Sequence, residues 1–304
     1  MRIGLMAGAS AAVGNGLKDV VGFVKDAEAR GFHSAWLANI FGLDGVGTCA
    51  IAGWETERIE LGTAVTPTYP RHPGALAQQA ITTSVACDGR FALGIGLSHQ
   101  MVIEGMFGMS YDKPAKHMNE YLQILAPLLK GEPADFEGEQ LTGKLAINTP
   151  DATPVPLIVA ALGSAMLKLA GSLADGTTTW MTGPKTMEEH IIPGINAAAE
   201  AAGKAAPRTI CGLPVALTSD VEGARKSIAD QLQIYGMLPS YRAMLDREGV
   251  AGPAELSLVG DETELRAQIQ RLRDIGVTDF SAAIVPTAEG VLENTLDFLQ
   301  SELG

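Results

Sequence analysis

Along the chain, short apolar runs alternate with longer stretches whose apolar residues return every three or four positions. Arg2–Ala7 is a run of the first kind. Leu17–Arg30 is of the second, with Val20, Val21, Val24 and Ala27 at helical spacing and Gly31 as a stop. Strands are predicted next at Ser34–Ile40, Ile59–Val65 and Phe91–Leu97, with helices at Gly45–Trp54, Gly74–Cys87 and Ala115–Lys130. The rhythm lapses over Glu132–Pro154, where Gly and Pro punctuate the chain and Phe136–Leu141 predicts an inserted hairpin. It resumes with strands at Val155–Ala161, Gly176–Met181, Arg208–Thr218 and Asp279–Val285. The matching helices are Ser164–Leu173, Thr186–Ala202, Val221–Leu238, Glu262–Ile275 and Glu289–Leu303, with further short helices in Pro239–Leu258 before the eighth strand. Strands that each lead into a helix, with no linker or shift in composition, predict an α/β protein: a (β/α)8 TIM barrel forming one domain over residues 1–304. A doubly wound sheet is the alternative.

The net charge of −13 argues against nucleic acid or an anionic membrane surface as partner, and points to a small-molecule ligand. No apolar run is long enough for a membrane span, and Met1–Met6 is already strand-like where a leader would stand, so a cytoplasmic protein is expected. Cys49, Cys87 and Cys211 are far apart and form no CxxC, which reads as three reduced thiols and no metal site.

In a barrel of this kind, chemistry sits where strands end. Polar residues at such ends are Asn39, Thr66, His99 and Thr182. His72 precedes Pro73 and suits a helix start, and Asp175 lies before a strand, at the face that serves stability. Glu28 and Asp26 read as a solvated helix face. Gly94-Ile95-Gly96 lacks the third glycine of a dinucleotide fingerprint, having His99 there, so a tight barrel turn explains it more simply. Val159–Ser164 is a strand that ends in small residues before a helix. Free N–H groups at that helix start, with Gly163 permitting close approach, make a phosphate cradle or an ordinary capped turn. Met101, Met106, Met109 and Phe107 form an apolar loop after the fourth strand, either core filler or a wall over a flat ligand.

Several blocks together resemble the bacterial-luciferase-like superfamily of flavin- and deazaflavin-dependent oxidoreductases. They are Ala27–Phe32 with Ala35-Trp36-Leu37, Thr56–Val65 followed by Arg71-His72-Pro73, Asp88–Gly96, Phe136–Glu139, and Ala170 with Ala174-Asp175-Gly176. The resemblance implies a barrel with the cofactor at the C-terminal strand ends, and a cis peptide at Ala64–Val65 supporting the middle of its ring system. It implies cofactor contacts at Asn39, Thr63, Ala64, Val65, Thr66, Gly96, Leu97, Ser98, Ala160, Ala161, Leu162, Gly163, Ser164 and Met181. The run Thr63–Pro67 is more similar to the branch that uses coenzyme F420; FMN with oxygen is the alternative. A homodimer is also implied. Two departures stand out. Relatives carry Asp-His after the second strand, where this chain has Asn39-Ile40, so the family's histidine acid is missing. His99 is expected to take its place, with Asn39 beside it, unless the reaction draws on a solvent proton or the chain binds the cofactor without turnover. Leu162-Gly163 replaces a Gly-Gly pair and is expected to narrow the cradle.

Overall fold

A parallel barrel must bury strands on both faces, so its strands read as nearly unbroken apolar runs. A computed structural model of the chain describes residues 1–7, 14 and 16–304. The order is β1 (Arg2–Ala7), α1 (Leu17–Ala29), β2 (Ser34–Leu37), α2 (Gly45–Trp54), β3 (Glu60–Thr63), β4 (Thr66–Pro67), α3 (Pro73–Ala86), β5 (Phe91–Gly96), α4 (Gln100–Ile103) and α5 (Pro114–Leu129). Next come β6 (Ala134–Glu137), β7 (Thr142–Leu145), β8 (Leu157–Ala160), α6 (Ser164–Leu173), β9 (Gly176–Trp180), α7 (Pro184–Thr186) and α8 (Ile192–Ala201). The chain ends with β10 (Arg208–Leu217), α9 (Val221–Leu232), α10 (Pro239–Glu248), β11 (Leu258–Gly260), α11 (Glu262–Asp274), β12 (Asp279–Ile284) and α12 (Val291–Ser301).

The barrel runs β1-β2-β3-β5-β8-β9-β10-β12 and closes where β12 pairs with β1, Arg2 opposite Asp279. All these pairings are parallel. The eight-stranded barrel is the expected one. The hairpin β6–β7 is antiparallel and is fastened to α5 by the buried Glu120, whose carboxylate accepts the Glu139, Gln140 and Leu141 N–H groups. Among the described residues no helix is long and apolar enough to cross a membrane.

Four readings of the pattern need correction. The third strand is not continuous over Ile59–Val65: it breaks after Thr63, and Thr66–Pro67 pairs separately with β5. The helix from Val221 stops at Leu232 and passes into a 3-10 turn at Gln233–Gly236. Leu258–Gly260 is an additional strand along the upper part of β10, too short to show an alternation. The Thr186–Ala202 helix contains a π-helical turn at Met187–Ile191. Glu28 is not simply solvated either, since one carboxylate oxygen accepts the N–H groups of Glu57, Arg58 and Ile59. The three cysteines are free and buried, and burial pushes the Cys211 thiol up to about 12.

Inside the barrel, Trp36 fills the axis with Ala92, Ile158 and Ile210. A Cβ on Gly62 would lie 2.2 Å from the Trp36 ring, which is why glycine stands there. Below it the floor is ionic. Arg2 pairs with Glu60 at 2.7 Å, and Arg208 pairs with Asp279 at 2.7 Å and with Glu60 at 2.9 Å. The Arg208 guanidinium also lies over Trp36, 5.7 Å from its centroid. These four side chains come from β1, β3, β10 and β12, so the ring joins both sides of the closure. Asp279 is only 2% exposed. Asp279→Ala should therefore lower the unfolding free energy by about 3 kcal/mol, because it strands two arginines beside a low-dielectric core. Urea unfolding at an unchanged slope measures this, and a loss below about 0.5 kcal/mol would show a solvated floor.

Candidate active site

The site is assembled at the C-terminal strand ends, beginning with a very close approach between β3 and β5. Thr63 Oγ1 donates to the Gly94 carbonyl at 2.7 Å and accepts the Gly94 N–H at 3.0 Å. A Cβ on Gly94 would fall 1.7 Å from the Thr63 carbonyl oxygen, and one on Gly96 would fall 2.5 Å from Val65 Cγ2. Both glycines are thus required by strand-to-strand packing within β5, not by the tight turn that the sequence suggests. The Ala64–Val65 peptide is cis. Thr66 is fully buried, and its Oγ1 has no hydrogen-bond partner among the described residues.

Beyond Thr66 the chain enters an aromatic stack. The His117 imidazole bonds Thr68 Oγ1 at 3.1 Å and stacks on Tyr69, with ring centroids 3.9 Å apart. Tyr111 stacks on Tyr69 at 5.2 Å and donates its hydroxyl to the Ser98 carbonyl at 3.2 Å. Ser98 is in the left-handed region at φ 60°, a conformation that a non-glycine residue holds only when its surroundings impose it. That turn directs His99 away from β5. His99 is half-buried and starts α4 without capping it, and its ring meets Tyr241 at 5.8 Å. Tyr241 meets Tyr235 at 5.0 Å, and Tyr235 meets Trp180 at 6.0 Å. A chain of rings therefore crosses the mouth from the end of β5 to the end of β9. Burial holds the His99 imidazole below its ordinary value.

Asn39 is half-buried at the end of β2, but its Oδ1 accepts the Gly45 N–H at 2.8 Å and so fastens the start of α2. Ile40 beside it is exposed. His72 caps α3 through Nδ1, accepting the Gly74 N–H, and its other ring nitrogen donates to the Thr142 carbonyl. Asp175 accepts the Leu157 N–H. Both histidine and aspartate are structural, as read from sequence.

On the far side of β5, after β8, α6 begins at Ser164 with no side-chain cap, and Gly163 and Ser164 are exposed. A Cβ on Gly163 would meet nothing within 4 Å, so Leu162 does not close this turn. The π-helical turn brings His190 against it, donating to the Leu162 carbonyl at 2.8 Å. Ala160 is partly accessible, whereas Ala161, Thr63 and Met181 are buried, with Met181 at φ 52°. Among the predicted residues, Thr63 to Thr66, Gly96 to His99 and Ala160 to Ser164 gather at one end of the barrel. An open, uncapped helix start after β8, with the orphaned Thr66 hydroxyl across β5 from it, fits a cofactor with a phosphate at one end and a polar ring system at the other. A cleft of about 80 Å³ lies at the end of β2, lined by Leu37, Ala38, Ile40 and Gly45.

The chain matches the family described as luciferase-like monooxygenase over residues 1–298. It belongs to that family. It is 26% identical over 292 residues to the 5,10-methylenetetrahydromethanopterin reductase of Methanolobus tindarius, covering 86% of this chain and 88% of the relative. It is 30% identical over 227 residues to the F420-dependent glucose-6-phosphate dehydrogenase of Nakamurella multipartita, covering 72% of this chain and 65% of that one. The fold matches the F420-dependent tetrahydromethanopterin reductase of Methanopyrus kandleri with a TM-score of 0.79, at 21% identity and 99% and 97% coverage. It also matches an F420-dependent secondary alcohol dehydrogenase in complex with an F420-acetone adduct, with a TM-score of 0.83, at 19% identity and 99% and 97% coverage. The chain is accordingly an oxidoreductase of the luciferase-like family.

Sequence reasoning missed His190, Tyr111, Tyr235 and Tyr241. Tyr111 and Tyr241 lie in segments read as loop or short helix, and His190 and Tyr235 lie within the predicted helices Thr186–Ala202 and Val221–Leu238, where nothing in the pattern singles them out. The burial of His99 and His117 has a pH consequence. Both are held below 6.5, chiefly by desolvation, with Glu120 opposing this at His117. The unfolded chain then binds more protons than the native one as pH falls through that range. Stability is therefore fully present above about pH 6.5 and is lost as pH drops through the folded values. The urea midpoint should fall between about pH 7.5 and about pH 5.5, and His117→Gln should reduce that slope. An unchanged slope would mean that His117 titrates normally.

Proposed function

We propose that this protein is a coenzyme F420-dependent oxidoreductase that transfers hydride between the deazaflavin and a small organic substrate. The observation that carries the reading is the uncapped, unobstructed turn at Gly163-Ser164, in a chain whose relatives include an enzyme named for its F420 dependence. A bound deazaflavin would supply a carbon that gives or accepts hydride. The protein's part is to hold and orient. The first N–H groups of α6 would receive the phosphate, and His190 steadies the Leu162 carbonyl next to them. Residues Ala64 to Thr66 would back the ring system, with the Thr66 hydroxyl as a hydrogen-bond partner. His99 would hold or release a proton at the substrate, and Tyr235 and Tyr241 would keep water from it.

FMN is the second reading, favoured by fold neighbours such as the FMN-bound oxygenating constituent of 3,6-diketocamphane monooxygenase from Pseudomonas putida. A homodimer belongs to the proposal as well. Ile51 and Trp54 of α2 and Val85 of α3 are exposed apolar side chains on outer helices suited to such a contact.

Equilibrium binding should favour F420 over FMN by at least tenfold, or about 1.4 kcal/mol. FMN binding of equal strength, with oxygen-dependent turnover, would establish the monooxygenase reading instead. Gly163→Val has room within the protein, so it should fold normally and still lose most cofactor affinity; Ser164→Ala should cost about 1 kcal/mol. If the valine variant binds as the parent does, the phosphate lies elsewhere. His99→Ala should lower turnover at least tenfold with cofactor affinity within a few-fold. A cofactor that binds but is never reduced or oxidised by any substrate would mark a binding protein.

A further inference from the structure

We propose that the substrate half of this mouth is built for an uncharged molecule with an apolar body and one hydrogen-bond-accepting group, not for a phosphorylated or carboxylated one. The inference rests on the oxidoreductase reading and concerns the part of the site that the cofactor does not fill.

Three loops carry it. Ile40 and Phe41 follow β2; Met101, Met106 and Phe107 follow β5; Met237 lies in the excursion between β10 and β11. All six are exposed, Phe41 by 62% and Met237 by 69%. The loops adjoin one another. The Phe41 and Phe107 rings are 6.5 Å apart, and the His99–Tyr241 contact ties the β5 loop to the β10 excursion. Exposed large apolar side chains away from these loops, namely Leu17, Ile51, Trp54 and Val85, sit on outer helices. Apolar surface concentrated at the working end of a barrel marks a binding surface.

Charge narrows the choice of ligand. Over residues 38–43, 97–110 and 233–241 the only formal charge is Glu104. Its carboxylate is occupied by Gln100 Nε2 at 2.9 Å and the Tyr111 N–H at 3.3 Å. Lys113 and Arg242, which follow two of these loops in sequence, are paired with Glu139 and Asp246, and Arg71 is paired with Asp44. A phosphate or carboxylate entering here would lose water and meet no free cation on these loops, at large cost. A neutral acceptor would meet donors instead. The Tyr69 hydroxyl is buried with no hydrogen-bond partner among the described residues, and the Tyr235 hydroxyl lies against Trp180 Nε1. A neutral phenol O–H donates one hydrogen bond, so the Tyr69 hydroxyl suits an acceptor such as a carbonyl or hydroxyl oxygen. Many apolar contacts with a few placed polar groups is the usual make-up of a small-molecule pocket.

The test is equilibrium dialysis of a ketone series from butan-2-one to octan-2-one, with octanoate as the charged counterpart of the longest member. It is run on the protein with and without F420, whose own binding is measured in parallel. Affinity should rise about two- to fourfold per methylene and hardly respond to salt, and octanoate should bind at least tenfold more weakly than octan-2-one. The double variant Phe107→Ser with Met101→Ser should flatten the slope and leave F420 affinity unchanged. A flat slope in the parent, or octanoate binding as tightly as the ketone, overturns the inference. So does a drop in molecular mass with Phe41→Ser and Phe107→Ser together, since the loops would then be a contact between copies. Failure of F420 to bind, with the ketone slope intact, defeats the cofactor assignment alone.

Discussion

The Thr63 carbonyl stands where any side chain on position 94 would have to begin. That steric fact fixes the end of β3 against β5, and the mouth of the barrel depends on it. The Thr63 hydroxyl reinforces the contact by bonding both backbone groups of Gly94. Each buried bond is worth on the order of 1 kcal/mol net, whereas overlap at 1.7 Å cannot be accommodated without moving the strand. With residues 63 and 94 clamped, Val65 falls against Gly96, Thr66 is turned into the interior, and Thr68 reaches His117. The ring stack of His117, Tyr69 and Tyr111 then supports Ser98, and through it the direction of His99.

The barrel changes character along its axis. The floor is ionic, with Arg2, Glu60, Arg208 and Asp279 neutralising one another across the closure. The middle is a Trp36 plug packed by small and aliphatic residues. The top is aromatic, with polar tips left unpaired. Two acids and two bases beneath a tryptophan make a strong lock only because their geometry is complete; removing one leaves the others beside an apolar core. The unpaired groups at the top carry the opposite sense. Thr66 Oγ1 and Tyr69 Oη are buried with no hydrogen-bond partner among the described residues, and both lie where the strands end.

The barrel was legible because its strands, buried on both faces, are short apolar runs bounded by glycine, and its helices have clear stripes. What escaped were features with no period of their own. Leu258–Gly260 is too short to alternate, and the break after Thr63 arises from contact with β5, thirty residues away in sequence. The extra residue of the π-helical turn leaves no mark in composition, yet it delivers His190 to the Leu162 carbonyl. Site positions at strand ends could be read from topology alone. The use of each side chain could not, and Asn39 shows why. Its type suits chemistry at a ligand, but its oxygen is taken by the first N–H of α2. Whether an amide faces a substrate or a helix start is decided by the course of the following loop, which a local pattern does not encode.

The loss of acid–base groups at the end of β2 changes what His99 is suited to do. Asn39 is engaged and Ile40 is apolar, so on the proposed reading proton transfer falls to the β5 side. Burial, against Tyr241 among others, lowers the His99 pKa from its ordinary value and so favours the uncharged ring. An uncharged imidazole accepts a proton before it can donate one. Removing hydride from an alcohol carbon releases the hydroxyl proton, and a neutral ring beside it is ready to take that proton. In the reductive direction the same ring must first be charged, at a cost that grows as its affinity for protons falls. The apolar rim acts in the same sense, because excluding water disfavours charge on imidazole and ligand alike. On the proposed reading, a neutral base and a neutral ligand are then two results of one environment.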